Sequence, residues 1–196
     1  MNRKVGDLSI LEKFVRDFVS VVEKYCKYII VSGFVAIAHG RTRGTEDIDI
    51  IIERLDELKF SKLHDNLIKN GFFCVQADDA KTVYEYLTDN LSVRYIKKGT
   101  FVPEMELKFS KDSLDEYQIK TRKKYPLSGL DIYFSTIEMN IAFKEELLKS
   151  EKDIEDAKHL REVYSDEIDE NDINKIKKEI KRLRLKWEIK HILNRL

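Results

Sequence analysis

The segment Asp47-Ile48-Asp49-Ile50-Ile51-Ile52 constrains the chain more than any other stretch. A strand places successive side chains on opposite faces. Asp47 and Asp49 must therefore emerge together on one face, while Ile48, Ile50 and Ile52 pack on the other. Two carboxylates held side by side repel each other, and a divalent cation is the usual remedy. The segment reads as half of a metal site on a sheet with one apolar and one chemically active face.

Upstream, Tyr28-Ile29-Ile30-Val31 reads as a short buried strand ending at Ser32-Gly33, and Phe34 to His39 as a short helix. A helix start offers free N–H groups and partial positive charge to phosphate. Ser32 and Gly33 are thus candidate phosphate contacts. Residues 8 to 27 place Leu8, Leu11, Val15, Phe18, Val22 and Tyr25 at helical spacing. Leu55 to Lys69 forms a further helix, with Leu58, Leu63, Leu67 and Ile68 on its apolar side and Gly71 as its stop.

Strands are expected at Phe72 to Val75, Ser92 to Ile96 and Phe101 to Phe109, with a turn at Lys98-Gly99-Thr100, and a helix over 79 to 89. In the 101 to 109 strand, Phe101, Met105, Leu107 and Phe109 share the core parity, and Glu104, Glu106 and Lys108 the other. Glu106, ahead of Glu104, is the candidate third acid that would complete a two-metal clamp, with ions about 3.5–4 Å apart. A strand pair at 117 to 124 and 130 to 134 precedes helices at 136 to 149, 151 to 164 and 169 to 196. The fold expected is α+β: a mixed β-sheet with flanking helices over residues 1–135, then a C-terminal helical subdomain over 136–196.

The stripe Ile137, Ile141, Lys144, Leu148 puts a lysine on an apolar helix face. It either snorkels to water or reaches into a cleft. Ser150-Glu151-Lys152-Asp153 is close to a capping box, which accounts for Asp153 by itself; Asp156, a turn later, needs another role. Arg41 and Arg43 fit either solvation or phosphate contact, and His39 fits a packed helix end.

These residues resemble the nucleotidyltransferase superfamily that shares the DNA polymerase β palm, whose signature runs hydrophobic strand, Gly-Gly or Gly-Ser, short helix, Asp-x-Asp. The likeness is carried by Ile29-Ile30-Val31-Ser32-Gly33 and Asp47-Ile48-Asp49. The loop His39-Gly40-Arg41-Thr42-Arg43 and the block Lys144 with Lys152-Asp153-Ile154-Glu155-Asp156 resemble the AbiEii-type branch, which includes toxin–antitoxin enzymes. The chain departs from the signature in having Ser32 before the glycine and Phe34 after it.

The resemblance implies Mg²⁺- or Mn²⁺-dependent transfer of a nucleoside monophosphate from an NTP to an acceptor hydroxyl. Asp47, Asp49 and Glu106 would hold metal, and Lys144 would neutralise the triphosphate. Ser32, Gly33, Arg41, Arg43, Asp153 and Asp156 would contact or orient the nucleotide. The expected acceptor is RNA, tRNA above all, or a protein side chain, with small molecules such as aminoglycosides as a third option. A non-catalytic nucleotide-binding module, or a toxin–antitoxin partner, is the alternative.

The formal net charge of zero hides an asymmetry: residues 171 to 196 hold nine Lys or Arg against three Asp or Glu. Lys177, Lys178, Lys181, Arg182, Arg184 and Lys186 could cradle RNA, while Ile173, Ile176, Ile180, Leu183 and Trp187 offer an apolar side for the core, a cognate antitoxin or another subunit. Cys26 and Cys74 sit in apolar runs without ligand spacing, which points to free thiols in a reducing cytoplasm. The start Met1-Asn2-Arg3-Lys4 lacks a secretory pattern, and no eighteen-residue apolar run suggests a membrane span.

Overall fold

The computed structural model describes residues 9–193, with side chains described as far as Leu183. A five-stranded mixed sheet of β1 (Tyr28–Val31), β2 (Asp47–Ile52), β3 (Phe72–Cys74), β4 (Val93–Lys97) and β5 (Glu104–Phe109) has the order β1-β2-β5-β4-β3. Only the β2–β5 pair is parallel. Around the sheet lie α1 (Ile10–Val22), α2 (Gly33–Ala38), α3 (Glu57–Lys69), α4 (Ala80–Thr88) and α5 (Ser113–Thr121). Then follow α6 (Ile137–Phe143), α7 (Glu151–Val163) and α8 (Glu170–Leu193).

Local chemistry sets these boundaries. Ser9 caps α1 by accepting from the Glu12 N–H, and the Glu12 carboxylate accepts from the Ser9 N–H, satisfying two donors that the helix leaves open. Asp56 and Asp79 do the same singly for α3 and α4. Ile48, Ile50 and Ile52 are fully buried. On that side of the sheet, Phe18 of α1 meets Tyr95 of β4 with ring centroids 5.6 Å apart. Phe60 of α3 meets Phe109 of β5 at 5.8 Å. The opposite face of β2 and β5 keeps its carboxylates and opens toward α5 and α6.

Several expectations change. Of the strand expected at 117 to 124, residues 117–121 lie in α5 and Lys123 alone pairs, with Phe134. Asp112 caps that helix with bonds from the Leu114 and Asp115 N–H groups. Of the expected 130 to 134 strand only Phe134 pairs, bridging Ile30 and Lys123. Phe101 is 90% exposed, because β5 begins after Pro103, which has no N–H to give a ladder. Leu58 and Ile68 face solvent; Phe60, Leu63, His64 and Leu67 form the buried side of α3. Leu8 and Trp187, placed on apolar helix faces from sequence, lie outside the described side chains.

The helix expected over 136 to 149 is regular only to Phe143. Residues Lys144–Leu148 form a π turn, closed by the Lys149 N–H on the Lys144 carbonyl at 3.0 Å, with Lys149 left-handed at φ 57°. A π turn advances less per residue than an α turn, which takes Leu148 off the Ile137–Ile141 stripe and into partial exposure while Lys144 stays buried. Glu145 in this turn accepts from Arg161 of α7 at 2.7 Å and pairs with Lys177 of α8 at 2.5 Å. Ile173, Ile176 and Ile180 carry the apolar core into α8. Among the described residues no helix is long and apolar enough to cross a membrane.

Candidate active site

In the parallel register of β2 and β5, Asp49 lies opposite Glu106 and Asp47 opposite Glu104. Period-two geometry turns all four toward the same side. Glu104 pairs with Arg94 at 3.3 Å, whereas Asp49 and Glu106 line a cleft of about 530 Å³ with Val31, Ser32, Asn140 and Lys144. The sheet register therefore favours Glu106 over Glu104 as the acid beside Asp49. Asp47, at the start of β2, is exposed and accepts from the Thr45 hydroxyl at 2.9 Å.

Lys108, legible beforehand only as a residue of the polar parity, lies between the two cleft acids. Its ammonium is 3.0 Å from Asp49 Oδ1 and 2.8 Å from Glu106 Oε1. Burial pushes the Glu106 carboxyl upward, but the Lys108 ammonium, a hydrogen bond from the Ser92 side chain and the Arg94 charge together outweigh it and leave the pKa below the usual value. Burial likewise disfavours charge on Lys108, and the Asp49 and Glu106 carboxylates more than compensate, so its pKa is raised.

Among the described residues, no three Asp, Glu, His or Cys side chains are gathered as a ready metal site. The donor chemistry nonetheless suits a hard dication: Asp49 and Glu106 are carboxylates from facing register positions, Asp47 is one strand repeat away, and Lys108 shows that the pair attracts a cation.

Ser32 joins β1 to α2 with φ 67° and ψ −141°, backbone space that a serine rarely occupies, and its side chain makes no cap bond to the helix. Gly33 is closely approached: a Cβ there would meet Arg43 Nη2 at 3.0 Å and Cζ at 3.2 Å. Arg43 in turn donates to Asp156 Oδ2 at 2.6 Å. Arg41 pairs with the other oxygen of Asp156 and with Glu155.

Lys144 completes this cluster, 2.8 Å from Asp156 and 3.3 Å from Asp153. Asp153 also closes a capping box with Ser150, so its cap role and its Lys144 contact coexist. The loop arginines thus point to α7, and Lys144 shows its side chain to the cleft while its ammonium is held by Asp156. His39 is packed among the rings of Tyr125, Phe134 and Tyr164, with Nδ1 2.6 Å from the Val35 carbonyl. Burial lowers its pKa.

Three cleft residues escaped the sequence. Asp115 is buried, and burial raises its carboxyl pKa. Asn140 donates to the Ser135 and Thr136 carbonyls, and Gln118 accepts from the Ser135 hydroxyl at 2.8 Å. A signal existed for Asn140, which stands one helical turn before Lys144 among apolar residues.

On α8, Lys177 and Lys181 pair with Glu145 and Glu146, and Arg182 with Glu179. Lys178 is exposed, and the side chains of Arg184 and Lys186 lie outside the described residues.

No family model matches the chain. No curated protein matches it either. Among solved structures it is similar to the antibiotic-resistance factor ANT(2'')-Ia, whose solution structure is known. The TM-score is 0.57 at 11% identity, covering 92% of this chain and 96% of that one. The fold is nucleotidyltransferase-like, with a mixed sheet, flanking helices and C-terminal helices.

Proposed function

We propose that this chain transfers a nucleoside monophosphate from an NTP to an acceptor hydroxyl, with Mg²⁺ or Mn²⁺ held by Asp47, Asp49 and Glu106. The observation that carries the reading is the Asp49–Glu106 pair, in register on adjacent strands and facing a cleft that also contains Ser32 and Lys144. In this reading the acceptor oxygen forms a bond to the α-phosphorus while the bond to the pyrophosphate oxygen breaks, and the hydroxyl proton passes to Glu106. A bound dication would supply charge neutralisation at the phosphate oxygens and lower the acceptor's pKa.

Ser32 and Gly33 would receive phosphate at the open turn, and Lys144 would add positive potential from the cleft wall. Arg41, Arg43, Asp153 and Asp156 act at one remove, fixing that lysine and the loop before β2. Residues 1–135 then form the catalytic unit, and residues 136–196 a helical subdomain that carries Lys144 to it.

RNA and a protein hydroxyl are the acceptors we favour. Among the described side chains of α8, Lys177, Lys181 and Arg182 pair with nearby glutamates and Lys178 is exposed. A small-molecule acceptor follows only by analogy with the antibiotic-resistance factor. The second reading, a nucleotide-binding or toxin–antitoxin partner module without turnover, draws on Lys108 standing between the acids and on both loop arginines being engaged by Asp156.

The test is incubation with each labelled NTP, Mg²⁺ or Mn²⁺, and total RNA, cell lysate or aminoglycoside. Label should move to one acceptor class, and Asp49→Asn should cut transfer at least a hundredfold with an unchanged circular-dichroism spectrum. Undiminished transfer by Asp49→Asn refutes the assignment, and nucleotide binding without transfer supports the module.

A further inference from the structure

Catalysis by paired dications needs cations at two neighbouring positions, about 3.5–4 Å apart. This chain already supplies a cation at one of them. Lys108 and Glu106 are two apart on β5 and share its polar side, and the parallel register sets Asp49 beside them. The Lys108 ammonium contacts one oxygen of each acid, at 3.0 Å and 2.8 Å, so it stands where an ion bridging β2 and β5 would stand.

Charge points the same way. Asp47, Asp49 and Glu106 carry three negative charges, and Lys108 answers one of them. Of the other cations around the cleft, Lys144 is held by Asp156 and Asp153, Arg94 pairs with Glu104 while its charge also reaches Glu106, and Lys111 lines the cleft wall. Counted against Lys108 alone, the three acids keep two negative charges, which a single dication matches. The second oxygen of Asp49, and the oxygen of Asp47 that Thr45 does not engage, are left for it.

We propose that Lys108 is a built-in substitute for the second metal, so that the site takes one dication per chain, on Asp47 and Asp49, with the Lys108 ammonium filling the bridging position between Asp49 and Glu106 and replacing the metal contact given above to Glu106. This rests on the proposed nucleotidyl-transfer reading and adds that the chain would work with half the metal complement of a two-ion site. An ammonium gives charge and hydrogen bonds but no octahedral ligand sphere, and its stem keeps it on β5 throughout.

Metal counting tests this without relying on turnover. The purified chain is dialysed to equilibrium against Mn²⁺ with saturating α,β-methylene ATP, and bound Mn²⁺ is counted per chain above the nucleotide-only compartment. One Mn²⁺ is expected for the natural sequence, two for Lys108→Met, and one again for Lys108→Arg. Thermal melting reports whether each variant is folded. Two Mn²⁺ on the natural sequence, or one on a folded Lys108→Met, overturns the role of Lys108 while leaving nucleotidyl transfer standing. No Mn²⁺ on the natural sequence, with nucleotide bound or not, overturns the metal-dependent reading itself and this inference with it.

Discussion

Lys144 Nζ lies 2.8 Å from Asp156 Oδ2, and the two side chains are 1% and 0% exposed. The same carboxylate receives Arg41 and Arg43 from the loop before β2. Asp156 is therefore the common counter-ion of three cations that arrive from two separate stretches of chain. Removing one partner of a buried ion cluster leaves uncompensated charge and costs about 3–5 kcal/mol. Asp156→Ala is expected to lose that much in urea unfolding. Lys144→Met should cost less, because Asp156 keeps two arginines. Adding Lys144→Met to Asp156→Ala should recover part of the loss, a coupling that a double-mutant cycle measures directly.

The C-terminal helices should show their own acid sensitivity through Glu145. Burial pushes its carboxyl upward, but bonds from Arg161 and Lys177 outweigh burial, and the folded pKa falls below the ordinary 4.5. A carboxyl depressed in the folded state contributes stability that is present above its unfolded pKa and is lost as pH falls through the folded value. Unfolding midpoints measured from pH 6 down to about pH 2 should therefore drop for the natural sequence. Glu145→Gln should start lower at neutral pH and fall less steeply. Parallel curves for the two proteins would remove Glu145 from the account.

The parity of Asp47 and Asp49 could be read from sequence because a strand has only two faces, and isoleucines at every second position leave the carboxylates one choice. The face on which Glu106 lies was legible for the same reason, and the structure adds the register that sets it beside Asp49. Helix α5 was not legible: its buried side consists of Leu114, Asp115, Gln118 and Ile119, so half of a helical stripe is polar and the alternation of Tyr117, Ile119 and Thr121 imitates a strand. The π turn at Lys144 leaves no periodic signal, since a shift of hydrogen bonding over five residues is too short to register in an apolar pattern. Lys108 was placed on the correct face, but whether a lysine stretches to solvent or folds back onto a neighbouring strand depends on tertiary charge.

Gly33 and Arg43 should behave as one unit. An alanine methyl at 33 would lie 3.0 Å from Arg43 Nη2, and the guanidinium cannot withdraw freely because Asp156 holds it at 2.6 Å. Overpacking of this kind costs about 1–3 kcal/mol. Gly33→Ala should be destabilised within that range, and in an Arg43→Ala background the same change should cost close to nothing. An equal cost in both backgrounds would show that the glycine answers to its backbone rather than to the arginine.

Ser32 sets stability against nucleotide binding. At φ 67° and ψ −141° it occupies a region that glycine enters without penalty, and a strained residue of this kind costs about 1–3 kcal/mol. Ser32→Gly should therefore raise the unfolding free energy by about 1 kcal/mol, the lower end of that range, since glycine gives back some chain entropy. Ser32→Ala should not, because it keeps a Cβ in the same backbone. Both variants remove the hydroxyl from the cleft, so titration with Mg²⁺ and NTP should weaken by the same factor in each, about tenfold for one lost hydrogen bond to a charged phosphate. If the alanine variant binds nucleotide as tightly as the natural sequence, the hydroxyl makes no phosphate contact, and the unusual backbone serves only to bend β1 into α2.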